Sequence, residues 1–190
     1  MDKNDRIVSF NNVMKGKIPE KCEKWLDDRR FFEAPASTKY HGNYEGGLFD
    51  HSLNVLKELL RLTEENRLKW QREQSPYIIG MFHDLCKIDQ YRHPVIATME
   101  SYYGVVEPIH DESVWEFNDD TFLVGHGDKS VMLLSELMQL TEEEIFCIRY
   151  HMGAFTDKEE WKYYTKAIHK YENVLWVHHA DMLASHVIEK

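Results

Sequence analysis

Apolar positions at Leu48, Leu53, Val55, Leu56, Leu59, Leu60 and Leu62 recur with helical spacing, which predicts an amphipathic helix over 48–66. Ser75 and Pro76 set an N-cap and a first-turn proline, opening a helix over 76–87. Its apolar run Tyr77-Ile-Ile-Gly-Met-Phe82 leads straight into His83 and Asp84. Helical patterning also covers 4–15, 19–29, 126–139, 141–151, a segment opened by Asp157, and 172–188. Thr141 and Glu144 have the spacing of a capping box. Segment 90–122 differs. Val95-Ile-Ala, Tyr102-Tyr-Gly-Val-Val and Val114-Trp-Glu-Phe are β-prone and separated by turn residues, which predicts a small hairpin inserted between helices. No repeat, low-complexity tract or flexible linker interrupts the pattern. The expected architecture is one mostly α domain over 1–190, with seven or eight helices and a small β-hairpin insert.

Composition narrows the classes. The chain has 190 residues, 43% hydrophobic and 13% aromatic, enough to bury a real core and inconsistent with disorder. No apolar run approaches the ~20 residues of a membrane span, and the first residues lack a signal-peptide pattern, so the expected location is cytoplasmic. The net charge of −10 opposes capture of long nucleic acid. An anionic substrate would need cations gathered in a cleft. Cys22, Cys86 and Cys147 are few, odd in number and far apart. They form no disulfide framework or CxxC zinc site and are expected as reduced thiols on apolar faces.

Candidate chemistry begins at His83-Asp84. Desolvating an ionised aspartate inside an apolar segment is costly without a partner, so the pair suggests a metal ion or, failing that, an ion pair. Other elements supply matching donors: His51 early in one helix, His126 between Gly125 and Gly127, His151 at a helix end, and Asp181 inside the last helix. A helical domain can build an internal metal site from side chains projecting off several helices. The set suits two ions. His51, His83, Asp84 and Asp181 would hold one, and Asp84 would bridge to a second held by His126 and His151. Imidazole and carboxylate donors without a thiolate suit Mn, Fe, Ni, Co or Zn.

The order His51 … His83-Asp84 … Asp181 resembles the HD-domain superfamily of metal-dependent phosphohydrolases, and His126 with His151 resembles its two-metal branch. Gly46-Gly-Leu-Phe-Asp-His51, His83-Asp-Leu-Cys-Lys87, His151-Met-Gly153 and His179-Ala-Asp181 are most similar to the HD domain of bacterial 3′–5′ exoribonucleases. The resemblance covers about 40–186. It implies an HD-type helical bundle, two divalent metal ions, a catalytic role for Asp84, and Lys87 contacting the substrate phosphate. Two departures limit it. There is no GYP motif, so cyclic di-GMP is not implied. The nucleic-acid module that precedes the exoribonuclease domain is missing from the sequence, which argues against polymeric RNA and for a small phosphorylated substrate such as a nucleotide.

Supporting residues have competing readings. Lys87 is either a phosphate contact or a solvated helix end favoured by the dipole. Lys129 and Ser130, in the helix start Gly125-His-Gly-Asp-Lys-Ser130, would either help bind an anion or simply belong to a capped helix. His41 and Glu45 lie in a loop that could reach the cleft or stay at the surface. Arg92, His93 and His110 would form a lid if the insert covers the site. Of His178 and His179, one is expected to orient a metal ligand and the other to pack in the core. The favoured function is hydrolysis of a phosphate ester in a nucleotide or short oligonucleotide. A di-iron oxygenase on the same ligand set, as in the relatives of inositol oxygenase, is the first alternative. A non-catalytic, metal-bound nucleotide sensor is the second.

Overall fold

Residues 1–121 and 125–189 are described by a computed structural model. Eight helices make up most of the described residues: α1 (Lys3–Met14), α2 (Lys21–Asp28), α3 (Gly47–Asn66), α4 (Ser75–Phe82), α5 (His126–Ser135), α6 (Glu142–Arg149), α7 (Trp161–Lys170) and α8 (Asn173–Leu183). None is long and apolar enough to cross a membrane. The capping box opens α6, with Thr141 and Glu144 bonding reciprocally. The Glu144 carboxylate also accepts bonds from Arg72 and the Ser75 hydroxyl, joining the start of α6 to that of α4.

The core forms around α3, which packs against α4 and α8. Phe10, Phe31, Phe32, Phe49 and Phe82 interlock edge to face or tilted at its N-terminal end, bringing α1 and the loop after α2 onto α3. The start of α3 is fixed by two constraints at Gly46. Gly46 has φ +81° and cradles the Arg6 guanidinium, which a Cβ would strike. Arg6 in turn donates to both oxygens of Asp50, at 3.1 and 3.0 Å, one residue before His51. At the other contact, Gly80 of α4 lies against the Leu56 backbone, where an added Cβ would sit 2.7 Å from Cα.

Three elements differ from the patterned expectation. The helix expected over 76–87 stops at Phe82, and Leu85–Ile88 forms a 3-10 turn instead. The helix expected over 126–139 ends at Ser135. The last helix gives way after Leu183 to a π turn, Ala184–Ile188. The expected β insert is present as a hairpin whose ladder is interrupted into two nested ribbons: β1 (Tyr91–Arg92) pairs with β4 (Glu116–Phe117), and β2 (Val95–Glu100) pairs with β3 (Val106–His110). Every residue of β2 and β3 is exposed, so this ribbon projects from the helices. Residue 122, the end of the expected insert, lies outside the described residues.

Candidate metal centre

The break after α4 shapes the centre. A 3-10 turn nearly eclipses side chains three apart. The Lys87 amide bonds to the Asp84 carbonyl, and the Lys87 ammonium stands 2.6 Å from Asp84 Oδ2. Lys87 therefore meets Asp84 through this turn, and not His83 along a continuous helix face. Both residues are buried.

Asp84 is the hub. Oδ2 is 3.6 Å from Nε2 of both His51 and His83, and Oδ1 is 2.8 Å from His126 Nε2 and 3.3 Å from His151 Nε2. Asp181 Oδ1 lies 3.2 Å from His51 Nε2. All six side chains expected to be ligands thus meet in one place. Their grouping differs in detail: His51, His83 and Asp181 cluster together, His83 and Asp84 with His151, and Asp84 with His126 and Cys86.

The imidazoles are oriented from behind. His83 Nδ1 donates to the Gly80 carbonyl at 3.0 Å and His151 Nδ1 to the Ile148 carbonyl at 2.6 Å, because a carbonyl can only accept. His51 Nδ1 donates to the Glu189 carboxylate at 3.1 Å. Each ring consequently turns Nε2 toward the common centre. Among the described residues, Nε2 of His51, His83 and His151 and Oδ1 of Asp84 are buried without a properly directed hydrogen bond. Buried polar atoms are nearly always satisfied, so four orphans converging on one point fit a cation that draws on several lone pairs.

Electrostatics sort the same groups. Burial opposes charge on His51, but the carboxylates of Asp181, beside Nε2, and Glu189, bonded to Nδ1, raise it to about 9. His83, more deeply buried and lacking such partners, is pushed down to about 4. Burial also opposes the charge on Asp84 and Lys87, yet each holds the other ionised, Asp84 far below and Lys87 above its usual range. His126 is raised to about 10 against burial, by Cys86 and Asp84.

A cleft of about 400 Å³ opens onto the hub, lined by His41, Lys87, Tyr91, His126, Phe155 and Asp181 among others. His41 faces it, its ring centroid 4.7 Å from that of His51, while Glu45 is exposed. Lys129, Ser130 and Arg92 are not among the described residues lining it. The Lys129 ammonium bonds to Asp89 and Thr121. The Ser130 hydroxyl accepts from the Cys86 amide and donates to the His126 carbonyl. Arg92 is engaged by Glu116, Asn118 and Asp120 within the insert, where His93 and His110 also bond to backbone carbonyls. These side chains all have protein partners, so an anion at 125–130 would meet the backbone amides at the start of α5 with Lys129 and Ser130 already engaged. His178 donates to the His151 carbonyl at 2.8 Å, an orienting contact, whereas His179 is exposed and not in the core.

Sequence reasoning missed Glu189, Asn54 and Cys86. Asn54 lies one helical turn from His51 on α3 and also donates to Glu189. Nothing local ties Glu189 to a histidine 138 positions away. Cys86 was hidden by the assumed continuous helix, where residues two apart do not share a face.

Over 73 residues the chain is 34% identical to dihydroneopterin 2′,3′-cyclic phosphate phosphodiesterase of Methanocaldococcus jannaschii, a match covering 37% of this chain and 29% of that protein. No family model matches the chain, and no solved structure matches it. Across a minor part of its length, then, the chain is similar to a phosphodiesterase, and it carries a buried His/Asp cluster that could hold metal ions.

Proposed function

We propose that this protein is an HD-type, metal-dependent phosphohydrolase that cleaves a phosphate ester of a small nucleotide-related substrate. The observation that carries the reading is the convergence of orphaned imidazole nitrogens on Asp84, with Lys87 beside it, at the floor of an open cleft. The partial similarity to a cyclic phosphate phosphodiesterase supports the same reaction class. His51, His83, Asp84 and Asp181 would hold one divalent ion, and Asp84, His126 and His151 a second. When bound, such ions supply Lewis acidity toward phosphoryl oxygens and a water of lowered pKa.

The chain's own residues do the rest. Lys87 presents a buried, permanently charged ammonium to the phosphoryl group, a fixed cation in an otherwise acidic protein. Asp84 fixes that ammonium in place. His41, held neutral by burial and by His51, lines the cleft wall as an uncharged substrate contact. The cleft volume suits one small molecule.

Hydrolysis of bis-p-nitrophenyl phosphate and of a panel of nucleotides and 2′,3′-cyclic nucleotides, with Mn²⁺ added, tests the reading. The wild-type protein should turn over at least one of them and Asp84→Ala should not. Equal release by both proteins refutes the assignment. Oxygen consumption with a di-iron spectroscopic signature would put the oxygenase reading first.

A further inference from the structure

We propose that Cys86 is a metal ligand, a thiolate donor beside His126 and Asp84 that makes the second ion's site a mixed sulfur, nitrogen and oxygen site. The inference rests on the two-ion reading above and adds to it a donor type that the six-residue set lacks.

Cys86 is placed differently from the other two cysteines. Cys22 and Cys147 belong to the hydrophobic core, where a buried cysteine acts as a small apolar side chain. Cys86 is equally buried but stands outside that core cluster, although its neighbours Leu85 and Ile88 are within it. Its sulfur faces the charged hub. One Asp84 carboxylate oxygen, Cys86 Sγ and one His126 ring nitrogen all lie within 4.8 Å of one another. The sulfur makes a long hydrogen bond, 3.8 Å, to the Asp84 carbonyl. Asp84 Oδ1, also buried and without a properly directed partner, lies 2.8 Å from His126 Nε2.

The local backbone holds this arrangement in place. Cys86 lies in the 3-10 turn that follows Asp84, within reach of both Asp84 and His126. Ser130 then fixes the turn to the start of α5. Its hydroxyl accepts from the Cys86 amide at 3.0 Å and donates to the His126 carbonyl at 3.2 Å. One buried side chain therefore sets the spacing between the two residues that would share the ion.

Ligation replaces the S–H bond with a sulfur–metal bond, and the thiol proton leaves to solvent. A thiolate in the set shifts selectivity toward zinc, cobalt or iron and away from manganese and magnesium.

Cobalt(II) as the sole added metal provides the test, with a readout independent of turnover. Chelator-treated wild-type protein loaded with Co²⁺ should show an intense near-ultraviolet sulfur-to-cobalt charge-transfer band. Cys86→Ser and Cys86→Ala should lose the band, and Cys86→Ser should bind Zn²⁺ about 10-fold or more weakly at one site while Mn²⁺ binding changes little. A Cys22→Ala, Cys147→Ala protein should keep the band, and it decides the matter if the Cys86 variants do not fold. Two bound cobalt ions with no sulfur band, or a band that survives Cys86→Ala, overturns the proposal. If cobalt binds without the band and is lost in Asp84→Ala, Cys86 alone is rejected and the metal-centre reading stands. If the wild type binds no cobalt, both fall.

Discussion

Glu189 reaches back from beyond the π turn to hold His51: its carboxylate oxygens lie 3.1 and 3.2 Å from His51 Nδ1, and Asn54 Nδ2 donates to the same carboxylate at 3.0 Å. His51 is the one imidazole of the buried trio oriented by a carboxylate, the other two being held by backbone carbonyls. A carboxylate behind a ligating histidine fixes its orientation and raises its basicity, and losing one weakens metal binding about 10–100-fold. Glu189→Ala should therefore lower affinity for one ion by that amount, with Glu189→Gln intermediate. Isothermal titration with Zn²⁺ reads the difference, and unchanged affinity in Glu189→Ala would remove this role.

Lys87 should separate binding from catalysis. Its ammonium sits 2.6 Å from Asp84 Oδ2, where it competes with a cation for that carboxylate while offering charge to a phosphoryl group. Lys87→Met should reduce kcat by roughly 10²–10³, as removal of a preorganised charge donor does, without reducing metal affinity. Steady-state kinetics alongside metal titration checks both halves. A parallel loss of metal would make Lys87 part of the metal framework.

The metal-free protein should be most stable near pH 6.5. Burial pushes His83 down from 6.5 to about 4, so the folded state favours its neutral form. That contribution is fully present above 6.5 and is lost as pH falls toward 4. His51 shifts the other way: burial is outweighed by Asp181 and Glu189, and it rises from 6.5 to about 9. Its contribution is fully present below 6.5 and is lost as pH climbs through 9. His126, raised to about 10, adds to the alkaline loss. Urea unfolding midpoints of chelator-treated protein at pH 4.5, 6.5 and 9 should peak at the middle value. A midpoint that keeps rising from 6.5 to 9 would contradict this.

Gly80 sets the contact between α3 and α4 that brings His51 toward His83. A Cβ there would lie 2.7 Å from Leu56 Cα, a backbone atom that cannot move aside cheaply. Gly80→Ala should cost about 1–3 kcal/mol of stability, the range for overpacked sites. Denaturant unfolding of the metal-free protein measures it, and a cost near zero would show that the two helices can separate freely.

Much of this was legible in the chain because the helices announce themselves. The leucine period of 48–66 and the Thr141/Glu144 box point to elements found within two residues of the expected bounds. The six side chains that meet at Asp84 could also be picked out in the chain, since they are spread over five separate stretches and Asp84 has no reason to enter an apolar run without a partner. What could not be read was geometry over one or two bonds. The 76–87 pattern carries no mark of the change to a 3-10 turn after Asp84, yet that change pairs Lys87 with Asp84, and nothing in the pattern places Cys86 beside His126. Lys129 and Ser130 sit at a helix start with free amides, as anion sites do. Only the fold reveals that Asp89 and the Cys86 amide already hold them. Glu189 had no local signal, because a π turn outside any sequence rule delivers it.

The central claim is that the buried histidines and aspartates around Asp84 hold a pair of divalent ions. Elemental analysis of protein purified without chelator, and again after dialysis against Zn²⁺ or Mn²⁺, tests it most directly. Close to two ions per chain in the wild type, falling to one or none in Asp84→Ala with the fold intact by circular dichroism, is the predicted result. A wild type that retains no ion under either condition, or an Asp84→Ala protein that binds as many as the wild type, would contradict it.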